Sequence, residues 1–184
     1  MNFTKKDFEE FKIVNTDLYL NWFNLYCVEF KINTADRLLC FLPNLLHESN
    51  NFEWVKEILP KNNPIYVKKL GNYFGRGLMQ VTHQKNYKLF NDWCNLNIKE
   101  FNKDFIKNPE LLQTPQYAVL SAFWFWKSNN LEKYADRKDF LNVCSLINTG
   151  RIQKPSKPHK INGLDDRIKK YAVIEKWCIK NKIT

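Results

Sequence analysis

Residues 46–57 read LHESNNFEWVKE, and three side chains in this stretch could do chemistry: His47, Glu48 and, nine positions after Glu48, Glu57. A His-Glu pair opens the zinc-protease pattern H-E-x-x-H, in which two imidazoles one helical turn apart face one metal ion. Position 51 is Asn51, and the other histidines, His83 and His159, stand far from His47 at no ligand spacing. No metal site is therefore expected, and no cofactor. The two carboxyls offer a different chemistry. Glu48 directly follows an apolar run ending in Leu45-Leu46. A carboxyl at the end of a buried helix is partly desolvated, which favours its protonated form and suits a general acid. Glu57 lies beyond the Ser49-Asn50-Asn51 break, beside Lys56, where it would stay ionised and could activate a water. Two carboxyls in contrasting surroundings are what glycoside hydrolysis requires. On the carboxyls alone the alternatives stay open: each could be an ordinary surface acid, and Glu53 competes with Glu57.

A second cluster follows in NYFGRGLMQVTHQKNY, residues 72–87. Gly75 and Gly77 flank Arg76, which permits a tight turn and close approach of a ligand. The stretch lacks the G-K-[ST] ending of a phosphate loop and the third glycine of a dinucleotide fingerprint. It supplies instead hydrogen-bonding groups and aromatic faces from Tyr73, Arg76, Gln80, Thr82, His83, Asn86 and Tyr87, a mixture suited to sugars. A well-packed turn with incidental polar residues is the plainer reading.

Helices must position these groups. Thr4 is placed to cap a short helix over 5–12. Thr16 is placed to cap a second, with Leu18, Trp22, Leu25, Tyr26 and Phe30 at helical spacing. Thr34 opens a third, apolar nearly all round and so buried, with Pro43 predicting a kink or break inside it. Prolines, asparagines and glycines between about 60 and 82 predict loop with short strands rather than helix. Helix is expected again over 84–97, after the Thr114-Pro115 cap, over 138–148, and over about 164–180 with Leu164, Ile168, Tyr171, Ile174, Trp177 and Cys178 inward. RIQKPSKPHKING, residues 151–163, reads as loop. The fold class is mostly α, a single domain over 1–184 with a small irregular or β lobe at about 60–82.

The 184 residues suffice for one domain with a real core. Lys plus Arg number 29 against 19 Asp plus Glu, a net charge of +10. That excess favours an anionic partner such as nucleic acid, a bacterial envelope or an acidic polysaccharide, or it reflects scattered solvated lysines. Five widely spaced cysteines, without C-x-x-C, read as buried free thiols of a reducing compartment. No apolar leader segment is visible at the N-terminus and no run of about 18 apolar residues occurs, so neither a signal peptide nor a membrane span is expected.

LLHESNNFEWVKE followed by NYFGRGLMQVTHQKNY resembles the family 19 glycoside hydrolases, the chitinase and phage-endolysin family with a lysozyme-like fold. NPELLQTPQYAVLSAFWFW, INTGRI and NGLDDRIKKY resemble later elements of the same family, so the likeness runs from about residue 20 to the C-terminus. The resemblance implies that Glu48 is the general acid, Glu57 the base that activates water, and Thr82 the hydroxyl that helps hold that water. It implies sugar-binding or site-shaping roles for Tyr73, Gln80, Asn86 and Asn148, and makes Arg167 the arginine that orients the second acid. It also implies inversion at the anomeric carbon, with the carboxyls about 6.5–9.5 Å apart. The chain departs from the family's I-N-G-G element at Thr149, and carries Arg151 and Ile152 where plant members place an acid.

The same carboxyl pair could cut chitin or the glycan of peptidoglycan. Minimal loops, the absence of a leader and of a disulfide framework, and the basic charge point to an endolysin-type enzyme. It would be monomeric, made in the cytoplasm of the producing cell and acting on the wall after release. Chitinase is the alternative. A basic glycan-binding or nucleic-acid-binding module is the competing class; intact Glu48 and Glu57 and the lack of a basic stripe argue against it.

Overall fold

The computed structural model describes residues 1–154, 156 and 159–184; Pro155, Lys157 and Pro158 of the expected 151–163 loop lie outside the described residues. The centre of the fold is α3 (Ala35–Glu48), buried without interruption from Leu38 to Leu46. Thr34 caps it as expected, accepting from the Arg37 amide. Pro43 does not break it. The helix runs through position 43, because packing on all its faces holds the turn that loses one amide donor. Helices α9 (Leu164–Lys180) and α8 (Phe140–Thr149) pack on α3, and α2 (Thr16–Glu29) packs on α6 (Pro115–Ser128).

The remaining α-helices among the described residues are α1 (Lys5–Glu10), α4 (Pro64–Leu70), α5 (Gln84–Asn97) and the short α7 (Glu132–Ala135), with a 3-10 helix over Pro109–Gln113. Thr4 and Asp7 form a reciprocal capping box on α1. That short helix buries Phe8 against Phe23 and Phe52, while Trp177 of α9 donates to Asp7 Oδ1 at 2.7 Å.

Three expectations need correction. Asn15, not Thr16, occupies the cap position of α2, in a left-handed conformation. The face that α2 buries is Tyr19, Phe23, Tyr26 and Cys27, leaving Leu18 and Leu25 exposed, because the aromatic core selects the larger rings. Residues 64–70 form a helix where loop was expected: Asn63 caps it by accepting from the Tyr66 amide, and Pro64 takes the first helical position. The lobe therefore holds a helix, and its β character is confined to isolated antiparallel bridges, Lys56 to Arg76 and Arg76 to Val81.

All five cysteines are free and buried, as expected. Burial pushes the thiols of Cys40 and Cys94 up to about 12, which keeps them protonated and unreactive. Among the described residues, no helix is long and apolar enough to cross a membrane.

Candidate active site

Glu48 is the last residue of α3. Asn44 lies one turn before it on the same face, where α9 packs. From α9, the wholly buried Arg167 donates to Asn44 Oδ1 at 2.5 Å, to Glu48 Oε1 at 2.5 Å and to the Asn162 carbonyl at 3.4 Å. Glu48 is thus held by a guanidinium, and the apolar setting expected from the Leu45-Leu46 run is replaced by an ion pair with the side chain about 24% exposed. Arg167 was expected to orient the second acid; it orients the first. The reason lies in packing, since α9 runs along α3 and its one inward cation meets the end of that helix. Burying Arg167 also turns Ile168 outward, 50% exposed, against the expectation of an inward Ile168.

The chain then reverses. Asn50, Asn51 and Phe52 all adopt positive φ, at 48°, 57° and 70°. Asn tolerates this conformation, whereas Phe52 is held in it by burial against Phe8, Tyr19 and Phe23. Ser49 fastens the reversal: its hydroxyl donates to the Leu45 carbonyl and accepts from the Phe52 amide. This turn delivers residues 55–57 alongside 75–77, with the Glu57 amide donating to the Gly75 carbonyl and the Gly77 amide to the Val55 carbonyl.

Glu57 consequently faces different partners from Glu48. Tyr66 of α4 donates to its Oε1 at 2.9 Å, and the Gly75 amide donates to Oε2 at 2.8 Å. A Cβ at Gly75 would lie 2.7 Å from Gln80 Oε1 and 3.2 Å from Glu57 Oε2, so a side chain there would displace both groups. Tyr66 went unnoticed in the sequence because α4 did. Removing its hydroxyl by Tyr66→Phe is expected to lower kcat on glycan roughly tenfold to a hundredfold, the scale of one hydrogen bond to a charged group. KM and the melting temperature should hardly change; an unchanged kcat would show that Tyr66 does not position Glu57.

Gln80, Thr82 and Asn86 come together. With Leu89, Trp124, Phe125 and Asn129 they line a hollow of about 300 Å³. Gln80, itself at positive φ, donates to the Gly77 carbonyl; Thr82 donates its hydroxyl proton to the Gln80 carbonyl; Asn86 donates to the Thr82 carbonyl. Tyr73 and Arg76 turn elsewhere. Tyr73 donates to the Ile106 carbonyl and meets Tyr87 edge-on. Arg76 is buried, stacks 3.8 Å over Phe74, and donates to the Asn72 carbonyl and the Tyr87 hydroxyl, so it supports the lobe from within.

On the other side, Asn148 accepts from the Asn162 amide and ties the end of α8 to the start of α9. Thr149 fits the helical last turn of α8, and only Gly150 is left-handed, at φ 68°. His47, the residue of the abandoned zinc motif, places Nδ1 2.7 Å from Asp166 Oδ2. Burial pushes the Asp166 carboxyl up, but hydrogen bonds from His47 and Lys170 outweigh it and hold it below the usual carboxylate range. A Cβ on Gly163, at φ +66°, would lie 2.0 Å from His47 Cε1. Gly163→Ala is therefore expected to cost about 1–3 kcal/mol, from strain and displacement of the imidazole, read as a lowered melting temperature. A wild-type melting temperature would contradict this packing.

The Haemophilus influenzae glycosyl hydrolase family 19 domain-containing protein is 31% identical over 122 residues, 61% of this chain and 50% of that protein. Over that stretch the chain is similar to a family 19 glycosyl hydrolase domain. No family model matches it. Chitinase 11 of Oryza sativa subsp. japonica is 36% identical over 80 residues, 41% of this chain and 25% of that protein. The chain thus spans about half, or less, of the length of these curated relatives. Chitinase C from Streptomyces griseus superposes with a TM-score of 0.72 at 21% identity, covering 94% of this chain and 90% of that one. Its fold is therefore shared with a chitinase, in keeping with the expected lysozyme-like class.

Proposed function

We propose that this protein is an inverting glycosidase that cleaves a β-1,4-linked, N-acetylglucosamine-containing polysaccharide, with Glu48 as general acid and Glu57 as general base. The observation that carries the reading is the unlike tethering of the two carboxyls. Arg167 holds Glu48 by Oε1, which leaves Oε2 as the oxygen from which a proton can be delivered to the leaving group. Glu57 is held by two uncharged donors, a hydroxyl and an amide, and can take a proton from water. Since the Thr82 hydroxyl proton is spent on the Gln80 carbonyl, Thr82 meets an attacking water as an acceptor. Water pinned between Glu57 and Thr82 attacks the anomeric carbon as Glu48 protonates the departing oxygen on the opposite face.

Chitin is the favoured substrate, a change from the cell-wall reading of the sequence. A curated relative and the structural neighbour are both named as chitinases. Peptidoglycan remains a second reading on one observation: a net charge of +10 favours an anionic wall over a neutral polymer. Purified protein incubated in parallel with soluble chitin and with purified peptidoglycan, the products weighed by mass spectrometry, separates the two. N-acetylglucosamine oligomers from chitin are expected. Muropeptides alone would transfer the reading to the cell wall, and no cleavage of either would overturn the glycosidase proposal.

A further inference from the structure

We propose that the glycan-binding surface extends past the carboxyls, along α5 and the last turn of α6, to a second hollow built on Phe30 and Trp93. This inference rests on the glycosidase reading, and its ligand is a distant part of the same N-acetylglucosamine-containing strand.

Asn86, Leu89, Trp93 and Asn97 fall at spacings of three, four and four residues, one stripe along α5. Asn86 and Leu89 line the hollow that holds Gln80 and Thr82; Trp93 and Asn97 line a further one of about 450 Å³. The last turn of α6 serves both, through Phe125 and Ser128 in the first and Lys127 in the second. Eleven residues of helix span about 16 Å, so the two hollows lie along one track several sugar units long.

The second hollow has the make-up of a sugar platform. Phe30 and Trp93 are partly buried rings 5.7 Å apart, tilted by 36°, at the edge of the core. Both are braced from behind, Phe30 by Tyr26 and Phe123, Trp93 by Phe90, so little side-chain freedom is lost when a sugar ring lies on them. Around them stand polar groups for hydroxyls and acetamides. Asn97 donates to the Trp93 carbonyl and keeps its own carbonyl available; Lys31 and Glu29 end α2's side of the rim; Lys127 reaches across from its pair with Glu132. Apolar faces with a sparse polar rim bind the two-faced sugar ring. None of these residues takes part in the proposed chemistry, so their contribution is to holding a long strand.

The test compares a chromogenic chitobioside, whose two sugars are shorter than the track of about 16 Å and cannot bridge both hollows, with soluble glycol chitin. Trp93→Ala should raise KM for glycol chitin about tenfold, the scale of one lost aromatic contact, and leave chitobioside hydrolysis unchanged. Because Trp93 also packs on the core, Lys31→Ser with Asn97→Ala serves as a surface variant and should move KM in the same direction. Equal losses on both substrates for the surface variant, or no change on either, would overturn the proposal. If wild type cleaves neither glycan, affinity electrophoresis in glycol chitin still decides. Retardation lost in Trp93→Ala would support the second hollow while the glycosidase reading falls, and retardation unaffected by Trp93→Ala, or absent in wild type, would overturn it. A wild-type dimer in sedimentation, dissociated by Trp93→Ala, would assign the hollow to a second copy of the chain and likewise overturn it.

Discussion

Arg167→Met is expected to unfold the protein some 10 °C or more below wild type and to abolish glycan cleavage. The guanidinium is wholly buried and bonds Asn44, Glu48 and the Asn162 carbonyl at once. Methionine fills comparable space but leaves the Glu48 carboxylate facing a buried gap without its cation, a change that costs about 3–5 kcal/mol. For a chain of this length each kcal/mol lowers the melting temperature by about 2–4 °C. The double variant Arg167→Met with Glu48→Gln should recover part of that loss, because the uncompensated charge is gone. Differential scanning calorimetry of the four members of the cycle checks it. Strictly additive effects would mean that Arg167 stabilises the fold by packing alone and does not act through Glu48.

Glu48→Gln should behave differently: activity falls about a thousandfold, in the range of a lost general acid, while the fold survives. Glutamine keeps the side-chain carbonyl that accepts from Arg167, and Asn44 and the Asn162 carbonyl still accept from the guanidinium, but the buried cation loses its counter-charge, so the melting temperature falls as well while the protein stays folded. A folded, inactive Glu48→Gln that still holds Arg167 would separate the group that reacts from the group that positions it. Near-normal cleavage by Glu48→Gln would remove Glu48 from the chemistry.

Much of this arrangement was legible in the sequence because it is local. The all-round apolar run 38–46 marks a central helix, Glu48 stands at its end, and the Ser49-Asn50-Asn51 break separates Glu57 from it. The structure gives that break its physical content in three consecutive left-handed residues pinned by the Ser49 hydroxyl. What escaped depends on contacts between distant segments or on weak local signals. Arg167 was singled out by the resemblance but assigned to Glu57; only the packing of α9 on α3 brings it to Glu48 and Asn44, more than a hundred residues away in the chain. Tyr66 was invisible because Asn63-Pro64 serves equally as a turn signal and a helix start, and only the seven residues of α4 decide which. His47 lost its role as a metal ligand with Asn51; its actual neighbours, Gly163 and Asp166, lie more than a hundred residues away.

The central claim is that Glu48 and Glu57 work as acid and base on opposite faces of one sugar, with water as the nucleophile. The anomeric form of the first product, followed by proton NMR during cleavage of chitohexaose before mutarotation, tests it most directly. An inverting reaction of a β-linked glycan releases the α-anomer, and that is the result predicted. Release of the β-anomer would mean a covalent intermediate on one carboxyl and would contradict the account.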